Sequence, residues 1–593
     1  MALASKVRIE VDGEEIKDFQ NLKIQQKIFE HNEFEVVCRL DTLESPDSFV
    51  VDDSKRLIGL PITIAIDPQR TDGSGTGLFF KGIVTCIKAK KSGLNYSDQI
   101  VLSGYSPDIM LDDKPGCRSF ESKSLRQIID EVTKYCPRDI LKTRVYPIND
   151  TQYPYTVQYE ESHYAFVKRL AARHGQWLYF DGSELVFGSL SGSNQELVLG
   201  IDLTDFDFSV KTNPADFKYF GYDYFNGEKF DKPALPGDGK NQLNDLGKFV
   251  FDRSADQYNQ QPVSYFSHLN AVGNGKDYEL EKVAGLEVGA SALGMMAMQG
   301  SSKNFQLKLG DKVKIKALKR DKQSEVSYGQ YIITSLSHTC DHLMNYLNTF
   351  QGIPATAKVP PYTNPAAIPR AGTQSAVVTD NKDPDKLGRV KVNFFWQEGL
   401  STPWIRMVNP YAANERGFYF IPEISDEVLV GFEEGDAEKP FVIGSYFHGK
   451  NKPSGKWIHE KNKTKIIMTE SKIQIQFDDE KKILTLETPA GNKVVINDDA
   501  KSILLQDQHQ NKVEINSDGI TMDSSKDINI SAKGEIKIDA KMKASLHAAT
   551  EVKVSSLNIE VAADTAVKVK GNATAEISAA GSTTVKGGMV MIN

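Results

Sequence analysis

No Phe, Tyr or Trp follows Phe477 and no Pro follows Pro489, although the 593-residue chain is 9% aromatic overall. A globular core of ordinary size is hard to build without aromatic side chains, so the C-terminal segment must bury itself in another way. No apolar run reaches the roughly 18 residues that a membrane-spanning helix needs, so stable membrane insertion is not expected. The N-terminus, MALASKVRIEVDGEEI, lacks an apolar signal core and reads straight into a strand; no signal peptide is expected. Five scattered cysteines (Cys38, Cys86, Cys117, Cys136 and Cys340) form no CxxC pair, which suits a chain assembled in a reducing cytoplasm. The net charge of −8 argues against a dedicated nucleic-acid binder, and no cofactor motif is present.

What is present reads as mainly β. KVRIEV followed by Asp12-Gly13 is a strand entering a hairpin, and PITIAI and IVTCIKAK are further strands. The loop Thr71 to Gly77 has GxGxG spacing but lies between strands, so a hairpin tip is expected there rather than a phosphate cradle. Two helices interrupt the pattern. One follows Ser122, with Leu125, Ile128, Ile129 and Val132 on one face and Pro137 ending it. The other starts at Ser162, presents Phe166, Val167, Leu170 and Ala171, and ends in Arg173, His174 and Gly175. Residues 276–300 carry Gly285, Gly289 and Gly294, which weaken a helix assignment. The proline-rich stretch 358–370 reads as a linker.

The C-terminal segment is periodic. Apolar pairs separated by one residue recur as Ile520/Met522, Ile528/Ile530, Ile536/Ile538, Ala544/Leu546, Val552/Val554, Ile559/Val561, Val567/Val569 and Ala575/Ile577, with Val585 next in phase. The step is eight residues except for one of seven, from Val554 to Val561. Short strands at a fixed small period are the mark of a β-solenoid. Eight residues are too few for one coil around a filled interior, so three chains wound into a triangular prism are expected. Ile530, Ile538, Leu546, Val554, Val561, Val569, Ile577 and Val585 would form its core, and the narrow axis accounts for the missing rings. Stacking at ~4.8 Å per strand gives a needle of roughly 40 Å.

Little supports catalysis. There is no GxSxG elbow, Walker loop or HExxH motif. His338, Cys340 and His342 would share one face of a strand and are the weak candidate metal set, set against a plain structural strand. Glu433-Glu434 and Asp478-Asp479 are expected on turns, where solvated charge is the default for acidic residues.

Three long motifs then identify a resemblance. VQYEESHYAFVKRLAARHGQWLYFDG (157–182) resembles the hub motif of the VgrG family, the spike of type VI secretion systems. DNKDPDKLGRVKVNFFW (380–396) with TPWIRMVNP (402–410), and GFYFIPEISDEVLVGFEEGDAEKPFVIGSYFHG (417–449), resemble the family's OB-fold module. The resemblance implies two hub β-barrel domains with helical insertions (1–185 and 186–365), an OB-fold (372–450), a connector with short strands (451–500) and a trimeric β-helix needle with its tip (501–593). It implies a non-enzymatic homotrimer that caps an Hcp-type tube hexamer and contacts baseplate proteins. Such a spike carries a PAAR-type tip protein and effectors or their adaptors. It is assembled in the bacterial cytoplasm and driven into target cells by sheath contraction. Met589, Val590, Met591 and Ile592 are the expected tip-protein contact. The competing readings are a phage-tail or extracellular contractile injection spike and, in a different class, a cell-wall hydrolase spike.

Overall fold

The computed structural model describes residues 5–45, 51–68, 77–91, 98–269, 275–319 and 324–592. The hairpin-tip loop expected at Thr71 to Gly77 lies outside the described residues, apart from Gly77 itself. Two compact units emerge, residues 1–452 and 453–593.

The first unit is organised by one hydrogen-bonded sheet of 13 strands. Six of these close on themselves, in the order Lys312–Leu318, Asn194–Leu199, Leu203–Val210, Met296–Ser302, Tyr346–Pro354 and Glu325–Asp341, the last pairing back to the first. The 17-residue strand Glu325–Asp341 serves two neighbours in turn. Its first half pairs with Lys312–Leu318, and Ser335 to Asp341 pair with Asn21–Lys27 of a second group. That group continues through Glu33–Arg39, Gln99–Tyr105, Leu78–Lys90, Pro61–Pro68 and Ser5–Val11. Its far end returns beside the shared strand, where Ser5 Oγ donates to the Met344 carbonyl at 2.8 Å. The sheet therefore crosses the 185/186 boundary expected from the sequence, because one long strand holds both groups. Alternation does the sorting: Leu22, Ile24, Val36, Ile62, Ile64, Ile100 and Leu102 are fully buried while residues between them face out.

Helix α1 (Leu125–Thr133) starts with a capping box, Ser124 accepting from Gln127 N and Gln127 Oε1 accepting from Ser124 N. Helix α2 (His163–Arg173) is capped by Ser162, whose Oγ accepts from Ala165 N. Helices α3 (Pro236–Lys240), α4 (Asp245–Gln257) and α5 (Gly275–Leu293) belong to the insertion between Leu203–Val210 and Met296–Ser302 of the six-stranded closed group. The 19 residues of α5 correct the doubt raised by its glycines. Leu280, Ala284, Val288 and Ala292 recur every fourth residue and are buried, and that packing overrides propensity. The proline-rich stretch 358–370 is likewise no free linker. Val359 and Pro360 are buried, Tyr362 stacks on Phe29 at 4.0 Å, and its hydroxyl accepts from Leu178 N.

The OB module has a four-stranded sheet in the order Lys391–Phe394, Gln374–Asp380, Glu427–Phe432, Pro440–Ser445. Ile405 bridges to Val390 on one edge and Met407 to Val442 on the other, so one short segment closes the barrel. Val378, Val392, Phe394, Val428, Val430 and Val442 fill it.

The second unit opens with a seven-stranded antiparallel meander of five-residue strands, from Thr464–Met468 to Gly519–Asp523. It runs without a break across the 500/501 boundary expected between connector and needle.

Candidate assembly surface

The meander has one almost wholly apolar face and one mixed face, and register shows which residues share them. Across successive strands, Ile467, Ile475, Leu486, Val494, Leu505, Val513 and Met522 stand opposite one another in one column. Phe477, Leu484, Ile496, Ile503, Ile515 and Ile520 form a second column on the same face. The middle column of the reverse face runs Ile466, Gln476, Thr485, Val495, Leu504, Glu514 and Thr521, apolar and polar mixed. Among the described residues nothing covers the apolar face: Ile503, Leu505 and Ile515 are exposed, Ile520 and Met522 more so. A groove of about 850 Å³ runs along it, lined by Ile475, Leu486, Val494, Leu505, Val513 and Met522. A continuous apolar surface of this kind marks an association site.

The octad segment continues the same theme with a different backbone. Bends recur at 525–526, 533–534, 541–542, 549–550, 557, 564–565, 572–573, 580–581 and 588–589, with extended chain between them. The single-residue bend at 557 accommodates the seven-residue step. Among the described residues, no backbone–backbone hydrogen bond joins one extended segment beyond Ser524 to another. Regular extended backbone with unpaired edges is a template for pairing with another chain. Within each apolar pair, the first residue (Ile528, Ile536, Val552, Ile559, Val567) is 50–58% exposed. The second (Ile530, Ile538, Leu546, Val554, Val561, Val569, Ile577), with Val585, is 66–83% exposed. The expected needle-core residues thus form one open stripe. Met589, Val590, Met591 and Ile592 are exposed as well and, being consecutive, break the alternation.

The candidate metal residues do not converge. His338 is fully buried and both its ring nitrogens are engaged. Asn348 Nδ2 donates to the Tyr346 hydroxyl, which donates to His338 Nδ1 at 2.7 Å, while Nε2 donates to Gln26 Oε1 at 3.1 Å. Burial pushes its pKa down to about 3, so the ring is neutral. Cys340 is buried beside Ser5, whereas the strand ends at Asp341 and His342 lies exposed in the following turn. No group of three His, Cys, Asp or Glu suited to a metal occurs among the described residues.

A buried polar clamp joins hub and OB module, and sequence reasoning missed it. Arg173, read as a helix-end cation, donates to Glu438 Oε2 at 2.5 Å and to the His268 carbonyl at 2.9 Å. Glu438 Oε1 also accepts from Val157 N. Burial lowers the Arg173 pKa, but Glu438 and Asp436 outweigh it and hold the guanidinium charged. Burial likewise raises Asp436, and the His268 hydrogen bond and Arg173 bring it below its usual value. Gln397 Nε2 adds donations to Ser119 Oγ and Tyr155 Oη. In the module itself, Asp383 accepts from Leu387 N, Arg389 N and the Arg389 guanidinium, while Lys386 and Gly388 take positive φ in the turn. Trp396 stacks on Phe394 at 5.4 Å and donates to Gln374, a packing role rather than an open ligand platform.

Comparison with known proteins agrees with this layout. A family model described as phage tail baseplate hub (GPD) matches residues 28–343. A type VI secretion system/phage-baseplate injector OB domain matches 374–447, and a phage baseplate V C-terminal trimerisation domain matches 482–546. The type VI secretion system spike protein VgrG1b of Pseudomonas aeruginosa PAO1 is 25% identical over 488 residues, covering 76% of this chain and 62% of that protein. Spike protein VgrG1a of the same organism is 24% identical over 436 residues, covering 67% and 63%. The chain thus spans less than two thirds of the length of these relatives. A chain of the half-lidded Francisella PdpA-VgrG complex is similar in fold, with a TM-score of 0.53 at 9% identity, covering 88% of each chain. With the hub model matching more than half of its residues, the chain belongs to the phage tail baseplate hub family, and VgrG spike proteins are among its relatives.

Proposed function

We propose that the chain is a non-enzymatic structural subunit of a type VI secretion spike that acts as a homotrimer. The observation that carries this is the open apolar surface: two columns along the meander, continued by an octad stripe whose extended segments have no backbone partner among the described residues. Three copies would bury the stripe on a common axis and pair every free edge. The needle core is then Ile530, Ile538, Leu546, Val554, Val561, Val569, Ile577 and Val585. The two sets of hub strands support docking on a hexameric Hcp-type tube, since three copies present six such sets. Met589, Val590, Met591 and Ile592 would receive a PAAR-type tip protein, and effectors or their adaptors would travel on the spike. Sheath contraction supplies the energy, so this subunit contributes rigidity. Assembly is in the cytoplasm and delivery is through the apparatus.

Deleting the gene in its host tests the reading. Release of the tube protein into the medium should stop and return on complementation; undiminished release contradicts it. The phage models among the matches keep a second reading alive, a spike of a phage tail or extracellular injection particle. That reading predicts release of intact sheathed particles instead.

A further inference from the structure

We infer that a cleft between the helical insertion and the OB module binds a neutral saccharide, stacked on Tyr222 and Tyr265 and hydrogen-bonded to the Arg406–Glu433 ion pair. The inference draws only on the first unit and does not rest on the trimer reading. The inner wall of the cleft is the three-stranded sheet Glu228–Pro233, Lys218–Asp223 and Val263–Tyr265. One face of that sheet is buried: Tyr219 and Phe230 pack on Phe266, Leu269 and Leu280. Alternation then turns Phe220 and Tyr222 outward, and register sets Tyr265 beside Phe220, their rings 5.1 Å apart. Lys229 Nζ covers the Phe220 ring at 4.5 Å, whereas Tyr222 and Tyr265 are 48% and 42% exposed. Among the described residues neither of these two Tyr hydroxyls has a hydrogen-bond partner.

The opposite wall comes from the OB module, with Pro403, Trp404, Arg406 and Glu433. The cleft holds about 330 Å³, room for one or two pyranose rings. Its walls are tied together without a ligand. Ser267 Oγ donates to Glu434 Oε2 at 2.9 Å, His268 Nδ1 meets Asp436 Oδ2 at 2.9 Å, and Arg406 stacks over Tyr224 at 4.3 Å. The rim cations already have anions: Arg406 pairs with Glu433, Arg389 with Asp383 and Asp385, and Lys276 with Asp223 at 3.2 Å. A phosphate or carboxylate ligand would have to displace one of these acids, and a wholly apolar ligand would cut the exposed pairs off from water. A neutral polyol leaves them in place, because guanidinium and carboxylate keep N–H groups and lone pairs for its hydroxyls. A pyranose ring adds a face of weakly positive C–H bonds, which matches the electron-rich face of a Tyr ring. Burial and the neighbouring carboxylates Glu433 and Glu434 raise the Tyr265 pKa, so its hydroxyl stays a donor.

Saturation-transfer NMR on the full-length protein tests the site, with chitotriose, cellotriose and maltotriose as the probes. At least one should receive transfer at its ring C–H protons, and Y222A and Y265A should each weaken that binding by about tenfold. Y278A, on α5 and 73% exposed outside the cleft, should leave it unchanged, and excess sodium phosphate should not compete. Transfer from none of the probes, or transfer that neither cleft variant reduces, overturns the inference. Equal transfer from a blocked tetraglycine peptide also overturns it, by marking strand addition at the edge of Val263–Tyr265, and so does displacement by phosphate, which marks an anion site. Particle mass is read on the same samples. Cleft variants that fall to single chains while the wild type does not would make the cleft a contact between copies and overturn the saccharide site. A wild type of single-chain mass that still binds a probe refutes the trimer and leaves this site standing.

Discussion

Arg173 at the end of α2 and Glu438 in the OB module lie 265 positions apart, yet their charged groups meet at 2.5 Å with both side chains almost fully buried. Isolated buried charges are costly, so this pair ties the hub to the OB module only while both members are present. Glu438→Ala leaves Arg173 unpaired and Val157 N without its acceptor. The expected loss is about 3–5 kcal/mol, read as a lowered denaturation midpoint. Glu460→Ala, at an exposed site, should change stability little.

Acid should loosen the first unit in two stages. His338 titrates near 6.5 when unfolded and near 3 when folded, so between those values the unfolded chain binds more protons. Its stabilising contribution is complete above pH 6.5 and is lost as pH falls toward 3. Asp383 is held down to about 2 by its hydrogen bonds from Arg389, against a usual 3.8 and despite burial, and its contribution is lost between those values. H338Q should flatten the upper limb of a stability–pH curve and D383N the lower one; parallel curves for wild type and variants would refute the assignment.

A charge on the apolar face of the meander should dissociate the assembly. Val494→Asp and Ile515→Asp place carboxylates on that face, whereas Thr485→Asp places one on the reverse. Sedimentation at equal concentration should show single chains for the first two and an unchanged assembly for the third.

Deleting residues 586–593 removes the consecutive apolar run without touching the meander. Trimer mass should persist while pull-down of a PAAR-type tip protein is lost; retained pull-down would falsify the tip assignment.

The parts legible in the sequence were those written in local periodicity. Octad pairs, the helix start at Ser162 and the alternating strands each depend on residues a few positions apart; the first helix, expected after Ser122, is capped two residues later by Ser124 because Ser122 still belongs to the preceding strand. Long-range relationships were not visible. Glu438 carries no local signal in the sequence, and only the fold brings it to Arg173. The first four strands of the meander were assigned to a connector and the last three to the needle, because from Thr464 to Lys512 the strands start nine or ten residues apart, out of step with the octads that follow. The glycines of α5 misled for the opposite reason, since tertiary packing on Leu280, Ala284 and Val288 outweighed local propensity. His338, Cys340 and His342 matched a strand period, but the strand stops at Asp341.

The account stands on one quantity, the number of chains per particle. Mass photometry of the full-length protein at nanomolar concentration should give one species at three times the 65.9 kDa of the chain. A single species at 65.9 kDa, or an even-numbered assembly, would contradict it.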